Sequence, residues 1–115
     1  EELREYCLGL EHTTEDMPFD DETLVFKVGG KMFCFTSLVG ELVMNLKCDP
    51  DEAIEMRETF PAVLPGYHMN KKHWNTVRID GSISDSMLKV WIRKSYLLVV
   101  AGLPRKEKAR LGFES

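Results

Sequence analysis

The sequence has no apolar run approaching the roughly 18 residues that a membrane helix needs, so no membrane partner is expected. Its opening Glu-Glu-Leu-Arg-Glu is acidic where a secretory segment would be apolar. Cysteine is scarce: Cys7, Cys34 and Cys48 are odd in number and far apart in the chain. That pattern argues against a disulfide framework and sets the expectation of a reducing cytoplasm. Motifs of covalent and metal catalysis are missing, with no Gly-x-Ser-x-Gly elbow, no His-Glu-x-x-His and no Cys-x-x-Cys. His68 and His73 lie five apart and would not share a helix face as i, i+4 zinc ligands do. The expectation is a non-enzymatic protein without metal or cofactor.

What is present suits one domain spanning residues 1–115. With 43% hydrophobic and 30% charged residues, the chain has the composition of an ordinary globular protein and is long enough to bury a core. The net charge of −4 is unevenly spread. Residues 1–23 carry nine acids against one base, whereas residues 59–115 carry ten bases against four acids. An overall acidic chain does not favour a polyanion partner, but its second half can still present a local basic face.

Leu3, Tyr6, Cys7 and Leu10 recur with helical spacing and predict an opening amphipathic helix. Residues 11–23 read as an acidic loop. Residues 24–28 and 31–36 read as strands joined by Gly29-Gly30, with Val28 facing Lys31, Phe26 facing Phe33 and Leu24 facing Phe35. A third strand covers residues 42–47. Asp49 caps the next helix, with Pro50 at its first position and Asp51 and Glu52 favourable to its dipole. Cys48, beside that helix start, could have a lowered thiol pKa, although a structural role is the expectation. Ser82 or Ser84 caps a long helix over about 85–101, whose predicted buried stripe is Leu88, Trp91, Ile92, Ser95, Leu98 and Val99. A short basic tail follows Pro104. These elements make an α+β domain: a two-layer antiparallel sheet of roughly four to five strands, packed by two principal helices.

The stretch 65–78 concentrates interaction-capable side chains. Pro65-Gly66 signals a turn, and from His73 a strand runs to Asp80-Gly81. Alternation puts Val77 and Ile79 on one face and Trp74, Thr76 and Arg78 on the other. Lys71, Lys72 and Arg78 are candidate phosphate contacts, with Lys27 and Lys31 on a hairpin that would serve as a wing. Tyr67, His68, Asn70, His73 and Trp74 would shape the site by hydrogen bonding and stacking. For Trp74 the expected role is to plug the sheet against a helix, because large aromatics mostly pack.

Val-Phe-Lys-Val-Gly-Gly-Lys-Met-Phe (25–33), Leu-Lys-Cys-Asp-Pro (46–50), Pro-Gly-Tyr-His-Met-Asn-Lys-Lys-His-Trp-Asn-Thr-Val (65–77) and Ser-Tyr-x-Leu-Val-Val (95–100) together resemble the MmcQ/YjbR family of small bacterial proteins. The resemblance covers nearly the whole chain. It implies a CyaY-like (frataxin-like) α+β domain with a double-wing motif similar to the C-terminal domain of a phage transcription activator. That similarity is the basis for describing the family as DNA-binding. The expectation is therefore a DNA-binding protein, with double-stranded DNA as partner. The alternative is a binding module for a protein or an anionic small molecule, and an enzyme of unknown activity ranks below both. A frataxin-like fold also raises iron at the acids of the first helix, Glu1, Glu2, Glu5 and Glu11, where solvation is the commoner role.

Overall fold

The computed structural model describes residues 2–18, 22–37, 39–66 and 70–113. Four helices and six strands follow one another as α1 (Glu2–Gly9), β1 (Thr13–Asp16), β2 (Thr23–Val28), β3 (Lys31–Ser37), β4 (Val43–Lys47), α2 (Pro50–Thr59), β5 (Val63–Pro65), β6 (Trp74–Arg78), α3 (Asp85–Ala101) and α4 (Arg105–Leu111). The strands form one antiparallel sheet in the order β1-β2-β3-β4-β6-β5. The α+β class is as the sequence implies, but the sheet is larger than expected. Residues 13–16, read as loop, pair with β2 as an edge strand, and residues 63–65 add a second edge on β6. The basic tail is a helix, α4.

Local signals explain the element ends. The Asp49 carboxylate accepts from the amides of Asp51 and Glu52, and the Ser84 hydroxyl accepts from Met87 N. Gly29 and Gly30 both sit at positive φ, 59° and 79°, as a two-residue hairpin turn requires.

The hairpin register differs from the expectation because β3 carries an extra residue. Lys27 pairs with Met32 and Phe26 with Cys34, so Phe33 is bulged out of the pairing. Leu24 therefore faces Thr36, and Val25 faces Phe35. Phe33 and Cys34, consecutive in sequence, both enter the helix-side core with Phe26, Val28, Met44, Leu46 and Val77. Phe35 goes to the opposite face, where a second cluster of Val25, Met32, Phe35 and Trp74 is built from strand residues alone.

At the bulge the backbone of β3 and β4 is tied by a helix side chain. Ser95 of α3, fully buried, donates to the Phe33 carbonyl and accepts from Lys47 N at 2.9 Å. Phe33 meets Tyr96 edge-on, with ring centroids 5.3 Å apart. The buried stripe of α3 thus includes Tyr96, whose hydroxyl donates to the Glu11 carbonyl at 2.6 Å, while Leu98 is exposed. On α1, Cys7 is buried in the same core as Cys34, whose thiol pKa burial pushes well above its ordinary value. No helix among the described residues is long and apolar enough to cross a membrane.

Replacing Ser95 by Ala leaves a buried carbonyl and a buried amide without their partner. Urea unfolding should show a loss of about 1–3 kcal/mol. A loss below about 0.5 kcal/mol, the range of an inert surface change, would mean that the hydroxyl does not hold α3 to the sheet.

Candidate nucleic-acid interface

The register places six chain segments at one end of the sheet. They are the β2–β3 turn, the end of β4, the turn before β6, the end of β5, the start of β1 and the α3–α4 junction. Leu46 opposite Cys34 puts Lys47 beside the start of β3, and Lys47 lies opposite Trp74, which aligns the first three. The α3–α4 junction joins them because Leu103 packs under the hairpin turn, so closely that a Cβ on Gly29 would come within 2.9 Å of its side chain.

The turn before β6 is held from four sides. Asn70 Oδ1 accepts from Lys72 N at 2.9 Å, a side-chain turn of the kind Asn forms readily. Asn70 O accepts from the amides of His73 and Trp74. The His73 carbonyl accepts from Cys48 N at 2.7 Å, and Arg57 Nη1 of α2 donates to the Lys71 carbonyl at 3.0 Å. Gly66 N donates to Trp74 O, and a Cβ at Gly66 would sit 2.8 Å from both the Trp74 Cβ and its carbonyl oxygen, so no larger residue fits there. The side chains of Lys71 and Lys72 are exposed and His73 is half-buried.

Trp74 is only 7% exposed, tilted against Phe35 with ring centroids 5.8 Å apart. It packs as expected, but against strand residues rather than a helix, and it offers no free face for stacking. Arg78 shares its face but lies four residues along β6, about 13 Å away at the rise of a strand, and pairs with Glu41 at 3.1 Å. It stands apart from Lys71 and Lys72 rather than beside them. Lys27 pairs with Asp16 at 3.6 Å, linking β1 to β2. Lys31 is exposed at the hairpin turn. Tyr67 and His68 lie outside the described residues.

Three features escaped the sequence. Arg105 and Lys106 begin α4 beside the β2–β3 turn, and they, Lys31 and Lys72 meet no carboxylate among the described residues. Asp49 and Asp51 sit at the same end, and the Asp49 carboxylate is taken up by helix amides. Asn75 is fully buried: its Nδ2 donates to the Ala53 carbonyl at 3.2 Å, fastening α2 to β6, and its Oδ1 has no partner among the described residues. A polar residue in a strand beside Lys-Lys-His gave no sign of this. Cys48 runs opposite to the idea of an activated thiol. Burial, then the Glu52 charge, raise its pKa to about 11 despite Arg57 and Lys94. Among the described residues no three His, Cys, Asp or Glu side chains gather as metal ligands, including the acids of α1.

A family model described as YjbR matches residues 8–98. The chain belongs to the YjbR family. It is 43% identical over 95 residues to the uncharacterised protein YbdF of Escherichia coli O157:H7, covering 82% of this chain and 78% of that one. It is 31% identical over 111 residues to the uncharacterised protein YjbR of Escherichia coli K12, covering 96% and 94%. A crystal structure of a Deinococcus radiodurans protein with a DUF419 domain superposes with a TM-score of 0.90 at 44% identity, over 97% of this chain and 86% of that one. A Pseudomonas syringae protein superposes with a TM-score of 0.72 at 25% identity, over 84% and 95%. Both likenesses support the α+β architecture of this chain.

Two outcomes test this geometry. Gly66→Ala forces backbone apart at Trp74 and should cost about 1–3 kcal/mol, the range of overpacking, read by urea unfolding; a change within about 0.5 kcal/mol would contradict the close approach. Alkylation of Cys48 needs the thiolate, so its rate should climb about tenfold per pH unit until pH reaches about 11. A plateau near the ordinary thiol value, about pH 9, would show that Cys48 is not desolvated.

Proposed function

We propose that this YjbR-family protein is a non-enzymatic DNA-binding protein that grips the phosphate backbone with the basic end of its sheet. The observation that carries the reading is the convergence of Lys31, Lys71, Lys72, Arg105 and Lys106 at that end, from three segments distant in sequence. The β2–β3 hairpin and the loop before β6 act as the two wings of the double-wing arrangement that the family resemblance implies. Asn70 and His73 shape the second wing. Contacts run to separated phosphates, because Asp49 and Asp51 interrupt the cationic run, and sequence-independent backbone binding is the consequence. Arg78 and Lys27, each paired with a carboxylate, serve the fold instead. The cytoplasm is the compartment in which three free thiols and a nucleic-acid partner both fit.

Fluorescence anisotropy of a labelled random duplex across salt concentrations tests this. Five phosphate contacts give a slope of log K against log salt of about −4.5, and removing two lowers it to about −2.7. The Lys71→Ala/Lys72→Ala variant should show that loss, and Arg78→Ala should leave slope and affinity unchanged. Absence of binding at low salt, or a double variant that behaves like the parent at every salt concentration, would sink the reading.

A further inference from the structure

The cleft between α2 and α3 contains none of the five cations assigned above to phosphates. Its walls follow from helical spacing. Glu52, Glu55, Met56 and Thr59 recur at i, i+3, i+4 and i+7 along α2, and Trp91, Lys94 and Leu98 face them from α3. Lys47 and Cys48 close the end at the start of α2, and Phe60 closes the other. The space is about 250 Å³, larger than the roughly 150 Å³ apolar cavity that takes up a benzene. Phe60 and Trp91 meet edge to face at 5.2 Å and make a rigid aromatic corner, with Met56 alongside.

The rim carries two charges of each sign. Lys94 and Glu52 satisfy each other at 3.3 Å. Lys47 and Glu55 are left, one cation and one anion, without an ionic partner among the described residues. We propose that the cleft binds a small zwitterion of the α-amino-acid type with an aromatic or branched apolar side chain. The ligand's carboxylate meets Lys47, its ammonium meets Glu55, and its apolar body rests on Met56, Phe60 and Trp91. A simple anion would leave Glu55 facing negative charge, a simple cation would do the same to Lys47, and a neutral hydrocarbon would desolvate both. The proposal does not depend on DNA binding.

Cys48 supplies a local reporter. It is 9% exposed in the cleft wall, whereas Cys7 and Cys34 are buried at 1% and 0%. The experiment measures alkylation of Cys48 by iodoacetamide, together with thermal melting. The probes are L-phenylalanine, phenylacetate, phenethylamine and toluene at matched millimolar concentrations. L-phenylalanine should raise the melting temperature and, at about ten times its Kd, slow alkylation by about tenfold by mass action; the other three should do neither. Glu55→Gln, an exposed change, should erase the preference for phenylalanine over phenylacetate. Equal protection by phenylacetate or phenethylamine, or no protection by phenylalanine, would overturn the proposal. So would a melting shift without protection of Cys48, since the amino acid would then sit elsewhere.

Discussion

The structure depends on one hydroxyl. Where β3 bulges at Phe33, the β3–β4 pairing runs from Cys34–Leu46 onward and leaves the Phe33 carbonyl and the Lys47 amide next to its end. Ser95 bridges them, so a helix side chain replaces a rung of the sheet. Buried backbone groups must find partners, and this one supplies both at once. It fixes the height of α3 over the sheet, and with it Tyr96 on Phe33 and Trp91 on Phe60. A larger residue at position 95 would displace the helix, and a smaller one would leave the bulge unsatisfied.

The same end of the sheet shows how a cationic turn is kept in place without packing its cations. The hydrogen bonds from Arg57, Cys48 and Gly66 reach this turn and the strand after it through backbone, and Asn70 braces it from within, while Lys71 and Lys72 are exposed. Arg57 spends its guanidinium on the Lys71 carbonyl, so a residue of α2 orients the turn. Trp74 anchors the strand that follows by filling the second face with Val25 and Phe35. An aromatic that looks like a stacking platform in the sequence is thus part of the support.

Much of this was legible in the chain, for physical reasons that differ by element. Asp49-Pro50, Ser84 and Gly29-Gly30 are local devices, and each acts where it reads. Val77 and Trp74 alternate as any strand must. Thr13–Asp16 and Val63–Pro65 did not read as strands because their pairing comes from β2 and β6 rather than from an apolar alternation of their own. The bulge at Phe33 was invisible because Ser95, sixty-two positions away, is what satisfies it. Lys71 and Lys72 were legible as a cationic turn, but their grouping with Arg105 depends on Leu103 lying under Gly29, a long-range packing event. The separation of Arg78 follows from strand length alone and could have been foreseen.

The sheet's two borders have a consequence for the protein's behaviour in a crowded solution. An unpaired strand edge is a template on which a neighbouring chain can extend the ladder, the first step toward fibrils. Here one border is the four-residue β1, carrying Glu15 and Asp16, and the other is the three-residue β5, ending in a proline that has no N–H to give. Glu15 is further engaged by Arg4. Strand-by-strand growth meets acidic side chains at the β1 border and a short, proline-ended ladder at the β5 border, so a sheet rich in valine and phenylalanine is guarded differently at its two edges.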